Sequence, residues 1–134
     1  MNKKELYKKQ NEQFLVDLKN EEGVQELRDG VLYKVLEKGG GENTPGLRSI
    51  VTCHYKGSTI NGKVFDETLS SGCPAAFRVS ELIEGFQIAL TNMHVGDHWI
   101  VYMPSEQGYG KRGAGPDIPG NSTLIFEIQL IAIA

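Results

Sequence analysis

The spacing of apolar residues divides the chain into an N-terminal helix and a β-rich body. Residues 3–20 contain no glycine or proline, and their apolar residues recur at helical spacing along a narrow stripe of Leu6, Tyr7, Phe14, Leu15 and Leu18. Gly23 is the predicted stop for this helix. Because the rest of the segment is polar, we expect the helix to pack on the body or to fray, and the alternative is a dimerisation arm.

After Gly30 the apolar residues alternate with a period of two, which is typical of β-strands. Strands are predicted near residues 31–36, 48–60, 64–66, 98–103 and 123–134. Asn61-Gly62 predicts a tight hairpin, and Pro104 ends a strand. Ser80 is predicted to cap a short helix that reaches Leu90, and Gly85 near the first turn leaves open a later start. Loops are predicted at 39–46, 70–74 and 105–122. The sum is an α+β fold with the short helix on one face of an antiparallel sheet.

Composition places the chain among ordinary globular proteins and narrows its possible functions. Of the 134 residues, 40% are hydrophobic and 23% are charged, and sixteen glycines agree with many turns. The net charge of −3 offers no basic field for phosphates, so nucleic acid is not expected as a partner. Cys53 and Cys73 lack metal or redox spacing, and Cys53 falls on a predicted core face, where it is expected to be a small buried hydrophobe.

The N-terminal segment also bears on cellular location. Its positively charged start is not followed by the apolar stretch of a signal peptide, and no apolar run approaches the length of a transmembrane helix. As it stands, the sequence therefore favours a cytoplasmic protein without a membrane segment. A periplasmic or surface-anchored protein whose leader had been removed would look the same.

Familiar catalytic motifs are missing from the sequence. His94 and His98 have the spacing of helical metal ligands, but Val95-Gly96-Asp97 between them is typical of a turn, so we interpret both as surface turn histidines and expect no metal or cofactor. Six aromatic residues instead fall at strand ends, at the helix start or in the long loop, namely Tyr55, Phe65, Phe77, Phe86, Tyr109 and Phe126. They either belong to the core or line one apolar cavity.

Three segments, taken in order, resemble the FKBP-type peptidyl-prolyl isomerases. Residues 51–68 (VTCHYKGSTINGKVFDET) resemble the family's strand with His-Tyr-x-Gly, its glycine-centred turn and its Phe-Asp. Residues 82–110 resemble its Ile-x-Gly-aromatic helix, Val-Gly turn, strand, Pro-Ser and Tyr-Gly, and residues 118–133 resemble its Ile-Pro and closing strand. The N-terminal part resembles the arm-to-domain junction of the bacterial macrophage infectivity potentiator group.

This resemblance implies a twisted antiparallel β-sheet wrapped around one short α-helix and preceded by an N-terminal helix. It implies a helical arm at residues 1–28 and an isomerase domain at residues 29–134. It also implies that proline binds in a pocket formed by Tyr55, Phe65, Asp66, Phe77, Leu82, Ile83, Phe86, Tyr109, Ile118 and Phe126. Phe86 would form its floor, and the Ile83 N–H and Tyr109 hydroxyl would bond to substrate carbonyls.

The implied catalytic residues are Phe65, Asp66 and Tyr109, and the others bind substrate. Asp66 would bias the polarity of the rotating amide, orient Tyr55, or both. Three positions depart from the family. The floor is commonly Trp and is Phe86 here, and Asp117 stands at a site that is often apolar. Ala75 stands where some eukaryotic members have a second pocket aromatic, while residues 74–77 (PAAF) resemble the bacterial pattern. Ligand affinity and substrate preference are expected to differ accordingly.

The implied function is isomerisation of X-Pro bonds in unfolded or nascent proteins. The implied partners are proline-containing segments of client proteins, and the implied ligands are macrolides such as rapamycin. A proline-binding chaperone module with weak or no turnover is the alternative, and Phe86 favours it. The N-terminal helix leaves open a monomer or a weak dimer.

Overall fold

The computed structural model describes residues 1–68 and 70–134 and has the α+β architecture predicted from the sequence. The strands are β1 (Gln25–Glu26), β2 (Leu32–Glu37), β3 (Ile50–Ser58), β4 (Val64–Glu67), β5 (Ala75–Arg78), β6 (His98–Met103) and β7 (Leu124–Ile133). The α-helices are α1 (Lys3–Lys19) and α2 (Glu84–Leu90). Short 3₁₀ turns occupy Arg28–Gly30, Val79–Glu81 and Ser105–Gln107.

The described strands form one antiparallel sheet in the order β1-β2-β6-β7-β3-β4, and β5 also pairs with β3. Strand β3 therefore has two partners on its outer edge. Its residues 50–53 pair with β5, and its residues 56–58 pair with β4. Tyr55 lies between these two stretches, so both outer strands converge on it.

The main core lies between the sheet and α2. Helix α2 buries Phe86, Ile88, Ala89 and Leu90 against apolar side chains of the sheet. Those side chains come from alternate strand positions and include Val51, Cys53, Val101, Met103, Leu124, Phe126, Ile128 and Leu130. The predicted alternation of the strands is confirmed, because residues two apart on a strand face the same side.

Helix α1 packs on the opposite face of the sheet. Leu18 forms a second cluster with Leu32 and Tyr102, and Phe14 and Leu15 pack at its edge. The expectation that this helix packs on the body is thus confirmed. Two details of the prediction were wrong. The helix ends at Lys19, with Asn20 as its C-cap, before Gly23, and Leu6 is 49% exposed.

The start predicted for α2 at Ser80 was wrong, and the later start that Gly85 left open is the one observed. Ser80 does not cap this helix but lies in the preceding 3₁₀ turn, and the helix begins at Glu84 after Ile83 in an extended conformation. Ser80 belongs to this separate turn because the Leu82 N–H donates a 3.1 Å hydrogen bond to the Val79 carbonyl. Leu82 and Ile83 are therefore free of the helix and line a cavity.

Smaller features divide between confirmed and missed. The hairpin at Asn61-Gly62 is confirmed, because Gly62 has a φ of +82° and Thr59 N–H bonds to the Lys63 carbonyl. Strands β1 and β5 were not predicted, since two and four residues are too short for a clear alternation.

His98 is not a turn residue. It begins β6 and lies 2.8 Å from Glu127 Oε2 on β7. No helix within residues 1–68 and 70–134 is both long and apolar enough to span a membrane.

Candidate functional site

One open cavity, of about 550 Å³, collects every candidate site residue predicted from the sequence. Its lining comes from β3, β4, β5, α2, β7, the segment before α2 and the 105–122 loop. The predicted residues in this lining are Tyr55, Phe65, Asp66, Phe77, Leu82, Ile83, Phe86, Tyr109, Ile118 and Phe126. We call this space the aromatic cavity, because six of these residues are aromatic.

The base of the aromatic cavity is built from edge-to-face rings. Phe86 and Phe126 are each 4% exposed, and their centroids lie 5.1 Å apart at an interplanar angle of 70°. Tyr55 meets Phe86 at 5.9 Å and 86°. Edge-to-face contacts of this kind stabilise aromatic pairs beyond their buried area and fix the orientation of each ring. The cavity therefore has a rigid apolar floor, with Phe86 at the position predicted for it.

Gly57 allows two of these rings to meet over the backbone of β3. A Cβ at Gly57 would lie 2.6 Å from Phe126 Cε1 and 2.7 Å from Phe65 Cζ, which is closer than real Cβ contacts. With no side chain there, Phe65 and Phe126 pack at 5.6 Å and 85°. The glycine of the His-Tyr-x-Gly segment is therefore a requirement of the cavity wall, a role that the sequence did not reveal.

The Tyr55 hydroxyl donates a 2.5 Å hydrogen bond to Asp66 Oδ2, which also lines the cavity. Burial, followed by this hydrogen bond, raises the pKa of Tyr55. The phenol therefore stays protonated at neutral pH and remains a donor. Asp66 is exposed on β4 and presents its charge at the cavity rather than inside the core.

Two further groups are placed to meet a bound peptide. Ile83 lines the cavity immediately before α2, and within the described residues its N–H has no hydrogen-bond acceptor. The Tyr109 ring is 40% exposed in the 105–122 loop, so its side chain is accessible from solvent. A backbone donor and a phenol at the rim of an apolar cavity are the kind of polar groups that orient a ligand.

The rim of the aromatic cavity is acidic, with one ion pair beside it. Asp117 lies 2.8 Å from Lys63 Nζ, and this contact links the hairpin tip to the 105–122 loop. Both side chains are about half exposed, and a pair of this kind contributes little to stability. Glu81 also lines the cavity. The polar substitution noted at Asp117 is thus accommodated at the surface.

Cavity size alone would not have identified this site. Cavities of about 500 and 630 Å³ lie beside α1 and beside β2, respectively. The first has no aromatic lining residue, and the second has Tyr33 and Trp99, which stack on each other at 4.1 Å. Convergence of aromatic residues from separate elements distinguishes the aromatic cavity.

Several lining residues were not identified from the sequence as site residues, namely Glu81, Ala114, Pro116 and Asp117. Three of them belong to the 105–122 loop. The signal that could have found them was the length of this loop, because long loops without their own secondary structure are usually functional or disordered. The loop folds back on itself, and Ala114 N–H bonds to the Ile118 carbonyl at 2.9 Å.

Comparison with known proteins agrees with this geometry. Residues 41–131 match the family model for FKBP-type peptidyl-prolyl cis-trans isomerases. The chain is 43% identical over 120 residues to the peptidyl-prolyl cis-trans isomerase Mip of Coxiella burnetii, covering 90% of this chain and 52% of that one. It is 41% identical over 131 residues to the outer membrane protein MIP of Legionella longbeachae, covering 98% and 56%.

A crystal structure of a peptidyl-prolyl cis-trans isomerase from Pseudomonas syringae pv. tomato superimposes with a TM-score of 0.91 at 36% identity, covering 100% of this chain and 98% of that one. The chain spans about half the length of the curated relatives it matches. The predicted cytoplasmic location finds no support among them, since one is named an outer membrane protein. Because the matched residues include the strands, helix and loop that build the aromatic cavity, this chain belongs to the FKBP-type peptidyl-prolyl cis-trans isomerase family.

Proposed function

We propose that this chain accelerates cis–trans isomerisation of X-Pro bonds in unfolded or nascent proteins. The observation that carries the proposal is the convergence of six aromatic side chains on one open cavity, in a chain of this family. Proline is apolar and compact, and it lacks a backbone N–H that would need a partner. An aromatic cavity with few polar groups suits such a ring, and flanking residues would lie across the rim.

The chemical step needs no acid, base or covalent intermediate. Amide resonance gives the X-Pro bond a rotation barrier of roughly 18 to 20 kcal/mol. In the twisted transition state this resonance is lost and the separation of charge between oxygen and nitrogen falls. An apolar cavity disfavours the planar, polar amide more than the twisted one, so it binds the transition state preferentially.

The required stabilisation is modest. An acceleration of about 10⁴ to 10⁶ corresponds to roughly 5.5 to 8 kcal/mol off the barrier. Contact of the proline ring with the floor at Phe86 and Phe126 would supply shape selection. Hydrogen bonds from the Ile83 N–H and the Tyr109 hydroxyl to substrate carbonyls would hold the flanking peptide while the amide turns.

We assign Asp66 a mixed role. Its hydrogen bond from Tyr55 supports a positioning function, and its exposed charge on the cavity lining supports an electrostatic effect on the amide. Phe65 packs on Phe126 and would close the wall against the proline. The remaining lining residues, Phe77, Leu82 and Ile118, would complete the apolar surface.

The test is an isomerisation assay on short X-Pro peptides, coupled to a protease or read by NMR exchange, with and without rapamycin. The wild-type chain should shorten the uncatalysed relaxation of tens of seconds, and the macrolide should block this. Phe65→Ala should lose most of the acceleration. Val64→Ala is the matched control, because Val64 is the neighbouring residue on β4, is 40% exposed and is not part of the cavity lining.

A proline-binding module with weak turnover is the second candidate, and Phe86 favours it. Phenylalanine is smaller than the tryptophan common in the family and lacks its N–H donor. The same assay separates the two candidates. Bound peptide with relaxation no faster than the spontaneous rate would leave the binding module and reject the enzyme.

Assembly and location follow from other parts of the chain. We propose that the chain is a monomer in which the arm at residues 1–28 packs on the isomerase domain at residues 29–134, because the apolar side of α1 is used on its own sheet. Sedimentation velocity would reveal a dimer.

We also propose a periplasmic or surface-anchored location, which the Legionella relative's name favours. Fractionation of cells with an antibody to this chain tests it.

A further inference from the structure

Helix α1 reaches the loop that walls the aromatic cavity through one buried and one partly buried hydrogen bond. Asn11 Oδ1 accepts a 2.7 Å hydrogen bond from Thr123 N–H, and both residues are only 2% exposed, so this bond is shielded from water. The half-buried Tyr7 places its hydroxyl 2.8 Å from Ser122 Oγ, and Ser122 is 3% exposed. A hydrogen bond in such surroundings is stronger than one in water and costly to leave unmade.

Asn11 is fully engaged in this contact. Its Nδ2 donates to the backbone carbonyl of Tyr7 at 2.8 Å, and the backbone carbonyl of Asn11 accepts from Thr123 Oγ1 at 3.4 Å. Asparagine is a poor residue for a helix interior, and burying an amide costs free energy unless it is hydrogen-bonded. A leucine there would serve the packing of α1 better. The polar side chain is explained by its link to the start of β7.

The contact at Ser122 leads directly to the cavity. Ser122 Oγ donates a 2.6 Å hydrogen bond to the Pro119 carbonyl, so it accepts the hydrogen bond that the Tyr7 hydroxyl donates. Pro119 follows Ile118, which is 6% exposed and lines the aromatic cavity. Ser122, which Tyr7 contacts, is thus connected to the cavity-lining Ile118 through one hydrogen bond and one peptide unit.

The two limbs of the 105–122 loop are hydrogen-bonded and closely packed against each other. Asn121 N–H bonds to the Gly110 carbonyl at 2.9 Å, and Gly110 follows Tyr109. The limbs touch so closely that a Cβ at Gly120 would lie 2.0 Å from the Lys111 carbonyl oxygen. A shift of the limb held by α1 would therefore displace Tyr109 as well as Ile118.

We propose that Tyr7 and Asn11 are positioning residues of the proline-binding site, acting through Ser122 and Thr123 on the wall that carries Ile118 and Tyr109. This inference rests on the proposed isomerase function. The loop has little regular structure of its own, and α1 supplies the fixed points that hold it ready for a ligand. If the wall occupies its binding position only part of the time, the apparent affinity for the ligand falls in proportion to that fraction. The functional unit thus includes the arm predicted to precede the isomerase domain.

Kinetics of single substitutions test the proposal. Tyr7→Phe removes only the hydroxyl, and Asn11→Ala removes the link to Thr123. Loss of one such bond is worth about 1 kcal/mol, so KM for an X-Pro peptide and Kd for rapamycin should rise about fivefold, with kcat changing less. Leu6→Ala, on the exposed side of α1, is the control and should leave both constants unchanged.

A second measurement does not depend on turnover. Coupling between two sites is reciprocal, so a ligand in the aromatic cavity should strengthen the contact at α1. Saturation with a short Leu-Pro peptide should slow hydrogen exchange of the Thr123 amide in the wild-type chain. The same peptide should have no such effect in Asn11→Ala. A helix that served stability alone would change the melting temperature and leave this peptide-dependent protection unaltered.

The outcomes separate the two proposals. If the wild-type chain turns over peptides, but Tyr7→Phe and Asn11→Ala match its KM and rapamycin Kd below their unfolding transitions, the positioning role is overturned and the isomerase function stands. Unchanged Thr123 exchange on peptide saturation would overturn it in the same way. If the wild-type chain neither binds nor turns over X-Pro peptides, the proposed function fails first and the positioning role fails with it.

Discussion

The Tyr55 hydroxyl and Asp66 Oδ2 lie 2.5 Å apart and tie β3 to β4 at the aromatic cavity. The bond is short because its acceptor is charged, and such bonds are stronger than neutral ones. It places both suggested roles of Asp66 in a single contact. The carboxylate fixes a ring that packs on Phe77 and Phe86, and the same charge faces the space where the amide would turn.

A double-mutant cycle at Tyr55 and Asp66 should show partial coupling. Tyr55→Phe and Asp66→Asn should each lower kcat/KM about tenfold, since each removes a charge-assisted bond worth roughly 1.4 kcal/mol or more. If Asp66 acts partly through Tyr55, the double variant should lose less than the product of the single losses. Full additivity would contradict the mixed role and assign the two residues independent effects.

The pKa of Tyr55 provides a control for this cycle. Burial is the first cause of its raised pKa and the hydrogen bond to Asp66 is the second. Asp66→Asn should therefore lower the pKa of Tyr55 while leaving it above the ordinary value for tyrosine. NMR titration of ζ-¹³C-labelled tyrosine reports this value. A pKa unchanged in Asp66→Asn would show that the bond is not formed in solution.

Gly57→Ala should damage the cavity more than the fold. The added methyl group would press on Phe65 and Phe126 at under 3 Å, so both rings must turn away from their edge-to-face contact. We expect kcat/KM and rapamycin affinity to fall at least fivefold, from overpacking that costs about 1 to 3 kcal/mol. Gly46→Ala is the matched control, because no atom lies within 4 Å of its added Cβ and its φ is not positive. Equal activity of the two variants would refute this role for Gly57.

The sequence predicted the parts of the fold whose signal is local and periodic. Strands β3, β6 and β7 alternate apolar residues over six to ten positions, and Asn61-Gly62 specifies its own turn. The start of α2 was missed because Leu82 and Ile83 continue the apolar pattern although their backbone is extended. Periodicity reports which side chains are apolar, and it does not show which of them face a cavity.

The candidate site was predicted through the order of its motifs, and its supporting contacts were not. All the proposed lining residues come from segments that resemble a family. Asn11, in contrast, is a polar residue within the apolar stripe of α1, and its spacing indicates no function. Its partner Thr123 is 112 positions away. A hydrogen bond over that separation leaves no trace in local spacing, so only the folded chain could reveal it.

Phe86→Trp should strengthen the site. Phe86 lies at the cavity floor in an edge-to-face contact with Tyr55, and the cavity above it is open. A larger ring can extend into this space and add apolar contact worth about 1 kcal/mol, which is roughly fivefold in affinity. Calorimetry with rapamycin and the peptide assay measure the change. Phe86→Leu should act in the opposite direction, and a Trp variant that binds no better than wild type would show that the floor is not what limits affinity.

Cys53 should make the fold sensitive to alkali in a defined pH window. It is fully buried on β3, and burial raises the pKa of its thiol from 9.0 to about 11. Between these values the unfolded chain loses the thiol proton and the folded chain keeps it, so the free energy of unfolding falls as pH rises, by about 1.4 kcal/mol per unit. Urea unfolding at pH 8, 9 and 10 measures this slope, because Tyr55 and Tyr102, whose folded pKa values are also raised, add their own loss only as the pH passes the ordinary tyrosine pKa of 10.0.

The control is Cys53→Ala, which should be less stable at pH 8 because it leaves a small void in the core, but should lose less stability between pH 9 and 10 than wild type. A thiol reagent gives an independent check. In the folded chain it should label the exposed Cys73 and spare Cys53, and both should react in urea. Because only ionised thiols react rapidly, labelling of Cys53 in the folded chain at pH 9 would mean that its proton is not held by burial. The alkaline slope would then have to come from the tyrosines.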